Sequence, residues 1–290
     1  MIKNKISVVI PSFNRAHLIE NTIPSYVQEG VGEIIIIDDA STDNTEQVVR
    51  KLTEKYSIIR YIKLEKNSGQ VVANNIGVQQ AKYEFIYFGD DDSFICENSL
   101  NFAYNSMIEN NADIVGIRAL YMLENEHYED TIKRSTNNKG VYFNINRLKI
   151  DFTCYTDKDL RLPFVHACLL VKSKIAKEVM FDTSYQGSGY REETDFILSC
   201  SEKGYDRVFY CSKAISINLP REIATGGAWK QSWWGYETST IKNNIYFLNK
   251  HYKYLKSHWD LKTPKFILNI FFILERIMFR ARRGIKKIIK

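Results

Sequence analysis

The sequence has few cysteines, and none stands in a metal-binding or disulfide pattern. Five cysteines are scattered over 290 residues, and no two of them form a CxxC pair. A secreted disulfide framework or a structural zinc site would need closely spaced thiols. Both are therefore disfavoured, and we expect a reducing compartment.

A leader, a linker and internal repeats are also missing. Residues 1–5 lead straight into a short apolar run rather than a long one, so we expect no signal peptide and a cytoplasmic protein. No stretch rich in Pro, Gly or Ser joins separate units. The length allows one large or two small domains with a sizeable core.

The charge distribution gives little support to a nucleic-acid partner. The net charge is +6, but the last eleven residues alone hold six Lys and Arg residues and no acid. The rest of the chain is close to balanced, whereas nucleic-acid-binding domains carry basic surfaces on the folded body. We expect no nucleic-acid binding.

Two common phosphate-binding loops are absent. No GxxxxGK[ST] segment occurs, which disfavours a P-loop nucleotidase. The first apolar run is followed by Pro11 to Arg15 and not by a glycine-rich turn. Dinucleotide binding and nucleotidyl transfer are disfavoured for the same reason.

An acidic triplet follows a strand-like apolar run that ends at Phe88. Asp90, Asp91 and Asp92 are consecutive, and like charges this close repel one another unless they share a cation. A lone triplet could be an exposed turn, but a second acid pair, ending at Asp39, also follows an apolar run. Open α/β sheets bind ligands at the carboxyl ends of their strands. The pattern therefore predicts a hard-metal site that holds a phosphate-bearing substrate.

Strand and helix patterns alternate over residues 1–115. Apolar runs begin near Ile6, Ile34, Ile58 and Phe85, and helical patterns lie between them. This alternation predicts an α/β fold with a doubly wound parallel sheet.

Four segments of this half occur in a characteristic order. They are residues 7–15 (SVVIPSFNR), 36–43 (IIDDASTD), 67–69 (NSG) with 74–77 (NNIG), and 89–92 (GDDD). Together they resemble the inverting family 2 glycosyltransferases of the GT-A fold. The resemblance implies a Rossmann-like, mostly parallel sheet with helices on both faces and an acceptor-side subdomain.

The resemblance also implies an activity. Such an enzyme transfers a sugar from a nucleotide-diphosphate donor, a UDP-sugar by default, to a saccharide or lipid-linked acceptor in cell-surface polysaccharide or glycan synthesis. A Mg or Mn ion assists, with Asp92 as its ligand, although the triplet leaves the register open by one residue. The implied nucleotide-binding residues are Pro11, Ser12, Asn14, Arg15, Asp39, Gly69, Asn75, Asp90 and Asp91. A non-catalytic nucleotide-sugar-binding protein of the same fold is the alternative.

A second acidic cluster precedes a predicted helix. Glu192, Glu193 and Asp195 follow a loop that contains Gly187 and Gly189, which we expect to be mobile. Acids at a helix start can simply cap the helix and face solvent. The resemblance implies instead that Glu193 is the catalytic base, and it leaves Glu192 and Asp195 as alternates.

The segment from about Pro264 onward predicts an amphipathic helix with a basic stripe opposite an apolar one. Glu275 and Arg276 interrupt the apolar part, so a membrane-spanning helix is disfavoured. The pattern favours a helix lying on an anionic membrane, at the inner face of the cytoplasmic membrane. A helix packed on the catalytic domain, with a solvated basic tail, is the alternative.

These patterns suggest three regions. Residues 1–115 form the nucleotide-sugar-binding half, residues 116–230 the acceptor and catalytic-base half, and residues 231–290 a C-terminal helical region. Residues 121–160 are polar and show no periodicity, which is typical of a solvated surface excursion. Asn218 follows an apolar run at a position where relatives often have a histidine, so its part in a metal site stays open.

Overall fold

Apolar, largely β-branched runs form the centre of a single large sheet. The computed structural model describes residues 4–136, 138–140, 142–185, 187–226 and 232–289, with the side chains of all these except 233 and 282–289. The strands are β1 (Ile6–Ser12), β2 (Val31–Asp38), β3 (Ile59–Lys63), β4 (Phe85–Phe88), β5 (Ser93–Ile95), β6 (Ile114–Tyr121), β7 (Phe143–Asn144), β8 (Lys149–Ile150), β9 (Leu160–Arg161), β10 (Leu169–Lys172) and β11 (Val208–Asn218).

Helices flank this sheet and continue beyond it. They are α1 (Ala16–Thr22), α2 (Thr45–Lys55), α3 (Gln70–Gln80), α4 (Ser99–Glu109), α5 (Tyr128–Thr136), α6 (Ser173–Val179), α7 (Glu192–Glu202), α8 (Trp233–His258) and α9 (Lys265–Ile289), with short 3₁₀ helices at Ile23–Tyr26 and Ile145–Arg147.

The first four strands form the parallel sheet that the alternation predicted. The large sheet has the order β3-β2-β1-β4-β10-β6-β11-β5, and β9 pairs with β11. β1 is parallel to both β2 and β4, and β2 is parallel to β3. Parallel strands joined by helices place all their carboxyl ends at one edge, where ligands bind in such folds.

One strand departs from simple parallel order. β10 lies between β4 and β6 and runs antiparallel to both. The sequence predicted a strand here but gave no sign that it would insert between two earlier strands. Strand order depends on pairing between residues far apart in the chain, and local patterns do not contain that information.

Both faces of the sheet are buried, which explains the unbroken isoleucine run of β2. Successive side chains of a strand point to opposite faces. One core cluster contains Val9, Ile35 and Ile37, and the other contains Val8, Ile34 and Ile36. Strands covered on both sides need apolar residues at every position.

The second half differs more from the sequence-based expectation. The apolar run before Asn218 is the long strand β11, which has an irregularity between Cys211 and Ile215. Residues 121–160 are not wholly irregular, because they include α5. α8 lies within residues 231–290, where we expected helix, although its bounds did not follow from the sequence. α9 packs against α8, so the C-terminal region is part of the folded body.

Candidate active site

The carboxyl ends of β1, β2 and β4 open into a large cavity. Its volume is ≈ 850 Å³. The opposite wall comes from the segment before α7 and from the start of α8. The expected site residues that line it are Pro11, Ser12, Arg15, Asp39, Gly69, Asp90, Asp91, Asp92 and Glu192.

Each acid of the triplet contacts at least one neighbouring side chain. Asp91 is buried and accepts a 2.6 Å hydrogen bond from the Ser12 hydroxyl. Arg15 places Nη2 3.3 Å from Asp92 Oδ2 and Nε 3.7 Å from Asp91 Oδ1. Asp90 accepts a 3.2 Å contact from the Cys168 thiol. One guanidinium therefore faces the carboxylates of Asp91 and Asp92, and Asp90 has only a weak neutral donor.

This imbalance changes the acidity of the triplet. Burial, and then the charge of Asp92, raises the pKa of Asp90 to about 7. Burial also raises the pKa of Asp91 to about 7, against the opposing effect of Arg15. The pKa of Asp92 is raised by burial as well, although Arg15 counteracts it. Additional positive charge would stabilise all three carboxylates in their ionised form.

The triplet fits a divalent cation that a substrate helps to bind. Within the part of the chain that the structure describes, no three His, Cys, Asp or Glu side chains are arranged to share one ion. Mg²⁺ is commonly held by one or two carboxylates together with substrate phosphates and water. Asp92 fits this role, because its side chain is 26% exposed and lines the cavity.

A buried donor of Arg15 without a partner also supports phosphate binding at this site. Nη1 of Arg15 is buried and has no hydrogen-bond partner within the described ranges. Such a group is costly unless a ligand or water completes it. A guanidinium beside a cavity is well suited to phosphate oxygens.

Asp39 organises the loop after β3. Its two carboxylate oxygens accept hydrogen bonds from the backbone N–H groups of Ser68 (2.6 Å) and Gly69 (2.8 Å). Gly69 has φ +88°, a conformation that residues with a Cβ rarely adopt. The two expected residues Asp39 and Gly69 therefore form one unit of the cavity wall.

Two expected nucleotide-binding residues lie outside the cavity lining. Oδ1 of Asn14 accepts hydrogen bonds from the loop after β2, including the N–H of Thr42 at 2.8 Å. Asn75 exchanges two hydrogen bonds with the backbone of Phe181, of 2.9 and 2.7 Å. Both side chains hold loops together in this structure, and a direct role with nucleotide stays a prediction.

Glu192 and Glu193 form the first turn of α7, which starts four residues before the apolar run that marked it in the sequence. Glu192 lines the cavity, is 2% exposed, and has an Oε2 atom without a hydrogen-bond partner among the described residues. Glu193 is half-buried at the cavity edge, where its Oε1 lies 3.4 Å from Nε2 of Gln70. Gln70 lines the cavity.

The two glutamates differ in acidity. Burial, and then the charges of Glu193 and Asp90, raises the pKa of Glu192 well above its usual range. Burial raises the pKa of Glu193 to about 7. Burial therefore favours the protonated form of both carboxyl groups, and the mutual repulsion of their charges adds to this at Glu192.

Asp195 has a different environment. It is 1% exposed and accepts hydrogen bonds from Tyr185, Lys250 and His251. It does not line the cavity. These three donors hold the Asp195 carboxylate in place, away from the cavity.

The loop of residues 187–189 is anchored to α8. The N–H of Ser188 donates to Ser239 Oγ at 3.1 Å, and Thr240 Oγ1 donates to Ser188 Oγ at 2.9 Å. Gly189 has φ +65°, and a Cβ there would lie 2.6 Å from Glu192 Oε2. We expected a mobile loop from its glycines, but they also allow a tight turn around Glu192.

Several residues that line the cavity were not assigned to the site from the sequence. Tyr185, Gln70 and Tyr236 are among them. Tyr185 and Gln70 lie close to recognised motifs, but nothing in their local pattern marks them. Tyr236 comes from the start of α8, which could be placed only by the tertiary structure.

A mostly parallel α/β sheet with an acidic triplet at its carboxyl edge, facing an acidic helix start, is the architecture of the GT-A glycosyltransferases. The model of the family described as Glycosyl transferase family 2 matches residues 7–168. This is more than half of the chain, and the chain belongs to that family. The expected family, fold class and enzyme class are confirmed.

One curated relative matches part of the chain. The chain is 37% identical over 117 residues to the poly(ribitol-phosphate) beta-N-acetylglucosaminyltransferase TarP of Staphylococcus aureus. The match covers 38% of this chain and 35% of that protein. The chain therefore spans about a third of the length of this curated relative.

Solved structures share the fold over most of the chain. S. aureus TarS 1-349, in complex with UDP-GlcNAc, has a TM-score of 0.58 at 18% identity, over 88% of this chain and 74% of that one. The mannosyltransferase PcManGT of Pyrobaculum calidifontis, in complex with GDP-Man and Mn²⁺, has a TM-score of 0.60 at 18% identity, over 92% and 68%.

Proposed function

We propose that this protein transfers a sugar from a nucleotide-diphosphate donor to a hydroxyl group of a saccharide or lipid-linked acceptor, with inversion at the anomeric carbon. The observation that carries the proposal is the cavity, which is lined by the acidic triplet and by Glu192, with Glu193 next to the lining residue Gln70. A donor between the triplet and these glutamates would have its leaving group and its attacked face on opposite sides.

On the leaving-group side, the diphosphate would lie against Arg15 and the triplet. Arg15 Nη1 supplies a free buried donor for a phosphate oxygen. Asp92, with Asp90 and Asp91 as neighbours, would hold a Mg or Mn ion, which supplies positive charge as the diphosphate departs. Pro11, Ser12, Asp39 and Gly69 form the wall nearest the expected nucleotide base.

On the acceptor side, Glu193 would take the proton of the attacking hydroxyl. A general base is most effective when its pKa lies near the working pH. The pKa of Glu193, raised by burial to about 7, meets this condition. Burial raises the pKa of Glu192 well above its usual range, which makes it less suited than Glu193 to act as the base. Asp195 is committed to Tyr185, Lys250 and His251.

The donor and acceptor classes follow from relatives and need a direct test. UDP is the default nucleotide, supported by the UDP-GlcNAc complex of TarS, while the name of TarP points to an acceptor that is a surface polymer. Donor hydrolysis should be measured across UDP-, GDP- and dTDP-sugars with Mn²⁺ present. Turnover of one nucleotide class supports the proposal. No turnover of any donor, with or without saccharide acceptors, contradicts it.

Inversion at the anomeric carbon needs a separate measurement. The anomeric configuration of the product should be compared with that of the donor by NMR. Inverted configuration supports direct attack by the activated acceptor. Retained configuration would reject the assignment of a single general base.

We also propose that α9 lies on the inner face of the cytoplasmic membrane, near a membrane-bound acceptor. No helix among the described residues is long and apolar enough to cross a bilayer. The outward face of α9 nevertheless exposes a row of large apolar side chains: Phe266, Ile270, Leu274, Ile277, Met278 and Phe279. An exposed apolar face with nearby basic residues is typical of a helix that lies in a membrane interface.

The basic residues of α9 have more than one role. Arg276 and Arg280 turn inward to Glu237 of α8, with Arg276 Nη2 2.7 Å from Glu237 Oε1. The lysines and arginines after residue 281 are the remaining candidates for anionic lipid, but their side chains lie outside the described part of the chain. Each basic residue near such a surface contributes about 1 kcal/mol.

Surface substitutions test this better than truncation. Removing residues 264–290 would also remove Leu268, which is buried in the core. A variant with Ile270, Leu274 and Ile277 replaced by Gln should lose binding to phosphatidylglycerol vesicles and keep donor hydrolysis. Ile108→Gln, at an exposed isoleucine of α4, is the matched control. Equal vesicle binding by all three proteins would contradict membrane association through α9.

A further inference from the structure

A buried charged network joins α7 to α8 directly behind the proposed base. Asp195 of α7 accepts hydrogen bonds from Tyr185 Oη at 3.0 Å, Lys250 Nζ at 2.9 Å and His251 Nε2 at 2.7 Å. Lys250 and His251 are neighbours on α8. None of these side chains has a role in the chemistry proposed above, yet Asp195 is two residues from Glu193.

His251 bridges two carboxylates. It is fully buried, and its Nδ1 lies 2.9 Å from Oε1 of Glu202 at the other end of α7. An ionised carboxylate can only accept hydrogen bonds. Both ring nitrogens of His251 lie within hydrogen-bond distance of a carboxylate, so the imidazole bridges Asp195 and Glu202 along α7.

Lys250 also binds the carboxylate of Asp195. Its ammonium also contacts Asp182 Oδ2 at 2.8 Å. Burial alone would lower the pKa of Lys250, but its hydrogen bonds to Asp182 and Asp195 outweigh burial and raise it. Asp182 precedes the loop of residues 187–189, so Lys250 connects that segment to α7.

The start of α7 has no side-chain cap. Its N-cap residue, Arg191, has φ +75° and provides no side-chain capping hydrogen bond. A side-chain cap is worth about 1 kcal/mol in a typical helix. The backbone N–H of Asp195 bonds to the carbonyl of Arg191 and closes the turn locally. Contacts from other elements reach this turn at two places: Gln70 of α3 contacts Glu193, and α8 contacts Asp195.

Stability alone is a weak reason for such a network. Buried ion pairs often contribute no more than well-packed apolar residues of similar volume. The neighbours of this network on α8, Phe247, Leu248 and Leu255, are apolar and fully buried. Directional contacts do fix orientation, which apolar packing does less well.

We propose that Lys250 and His251 are positioning residues that orient the carboxylate of Glu193 through Asp195. The inference rests on the proposed role of Glu193 as base. It assigns a catalytic contribution to α8, a helix that lies outside the residues matched by the family model.

The first test separates positioning from binding. Lys250→Met and His251→Gln should each lower kcat about ten- to a hundredfold, the scale expected when a reacting group is misplaced by about 1 Å. The donor KM should stay within about twofold, because neither residue lines the cavity. Lys256→Met, the same change at an exposed lysine of α8, is the matched control and should leave kcat unchanged.

The second test asks whether the network acts through the base. Residues that act as a unit give non-additive losses. In a Glu193→Gln background, His251→Gln should therefore cause no further loss of kcat. Losses that multiply overturn the positioning role while leaving the proposed function intact. Full activity of Glu193→Gln alone overturns both proposals.

A milder variant keeps the proposal testable if His251→Gln fails to fold. Glu202 is one-third exposed, so Glu202→Gln removes one partner of His251 with little risk to the core. It should lower kcat by a factor of about three to ten at unchanged donor KM. Unchanged kcat in Glu202→Gln, with thermal melting equal to wild type, would overturn the proposal.

Discussion

The two acidic clusters of this protein have similar compositions and different surroundings. At the end of β4, the guanidinium of Arg15 faces Asp91 and Asp92, and Asp90 accepts a hydrogen bond from the Cys168 thiol. At the start of α7, Asp195 has an ammonium, an imidazole and a phenol, whereas Glu192 keeps an unpaired oxygen. Asp195 thus has a full set of hydrogen-bond donors, whereas the triplet and Glu192 have too few donors and too little positive charge nearby.

This difference distinguishes a carboxylate with a structural role from carboxylates that can take part in catalysis. A buried carboxylate with a full set of donors is stabilised as an anion and can serve as a fixed structural contact. A buried carboxylate without them has a raised pKa, as Asp90, Asp91, Glu192 and Glu193 do. Such groups are suited to bind a cation or exchange a proton, and they cluster at functional sites.

The largest effect is expected at Glu193, a carboxylate of the α7 cluster that has few hydrogen-bond donors. Glu193→Gln should lower kcat by roughly a hundredfold to ten-thousandfold, the range for loss of a general base. Donor binding measured by calorimetry should stay near wild type, because the change removes only charge. The matched control is Glu97→Gln, at an exposed acid before α4. If Glu193→Gln keeps full activity and Glu192→Gln or Asp195→Asn abolishes it, the base is misassigned.

The next effect tests the triplet. Asp92→Asn should reduce Mn²⁺-dependent turnover by at least about a hundredfold, the scale of a lost electrostatic stabiliser of the transition state. Turnover should be measured over a Mn²⁺ titration, with EDTA-treated wild type as the reference. Equal wild-type activity with and without EDTA would show that the triplet works without a metal.

The pH dependence sharpens the contrast between Glu193 and Asp195. A base must be deprotonated to work, and the pKa of Glu193 is raised to about 7. We therefore expect kcat/KM to fall about tenfold for each pH unit below 7 and to level off above it. Glu193→Gln should remove this slope. A profile of the wild type that is flat between pH 5.5 and 7 contradicts the assignment.

The smallest effect concerns a saturated carboxylate on the donor side. Asp39→Ala should raise donor KM about tenfold and change kcat less, because it leaves the N–H groups of Ser68 and Gly69 without acceptors and loosens the cavity wall. Asp39→Asn, which keeps one acceptor oxygen, should fall between wild type and Asp39→Ala. Nucleotide affinity that is unchanged in Asp39→Ala by calorimetry would show that the loop position does not matter.

Local sequence patterns predicted the strands of residues 1–115 well. The apolar runs beginning near Ile6, Ile34, Ile58 and Phe85 became the parallel strands β1 to β4, because buried strands need continuous apolar sequence. Motif order then located most of the cavity wall. Asn14 and Asn75 belong to the same motifs but face neighbouring loops, since a motif gives the position of a residue and not the direction of its side chain.

The sequence by itself determined the α/β class, the family and the positions of the two acidic clusters, because strand composition, turn residues and runs of acids are local properties. Only the tertiary structure decided the place of β10 between β4 and β6, and the role of α8. It also decided which acids are saturated, because Lys250 and His251, two of the three partners of Asp195, are 55 and 56 residues away in the chain. Burial and charge balance arise from contacts across the fold, and these properties turn a list of acidic residues into a candidate active site.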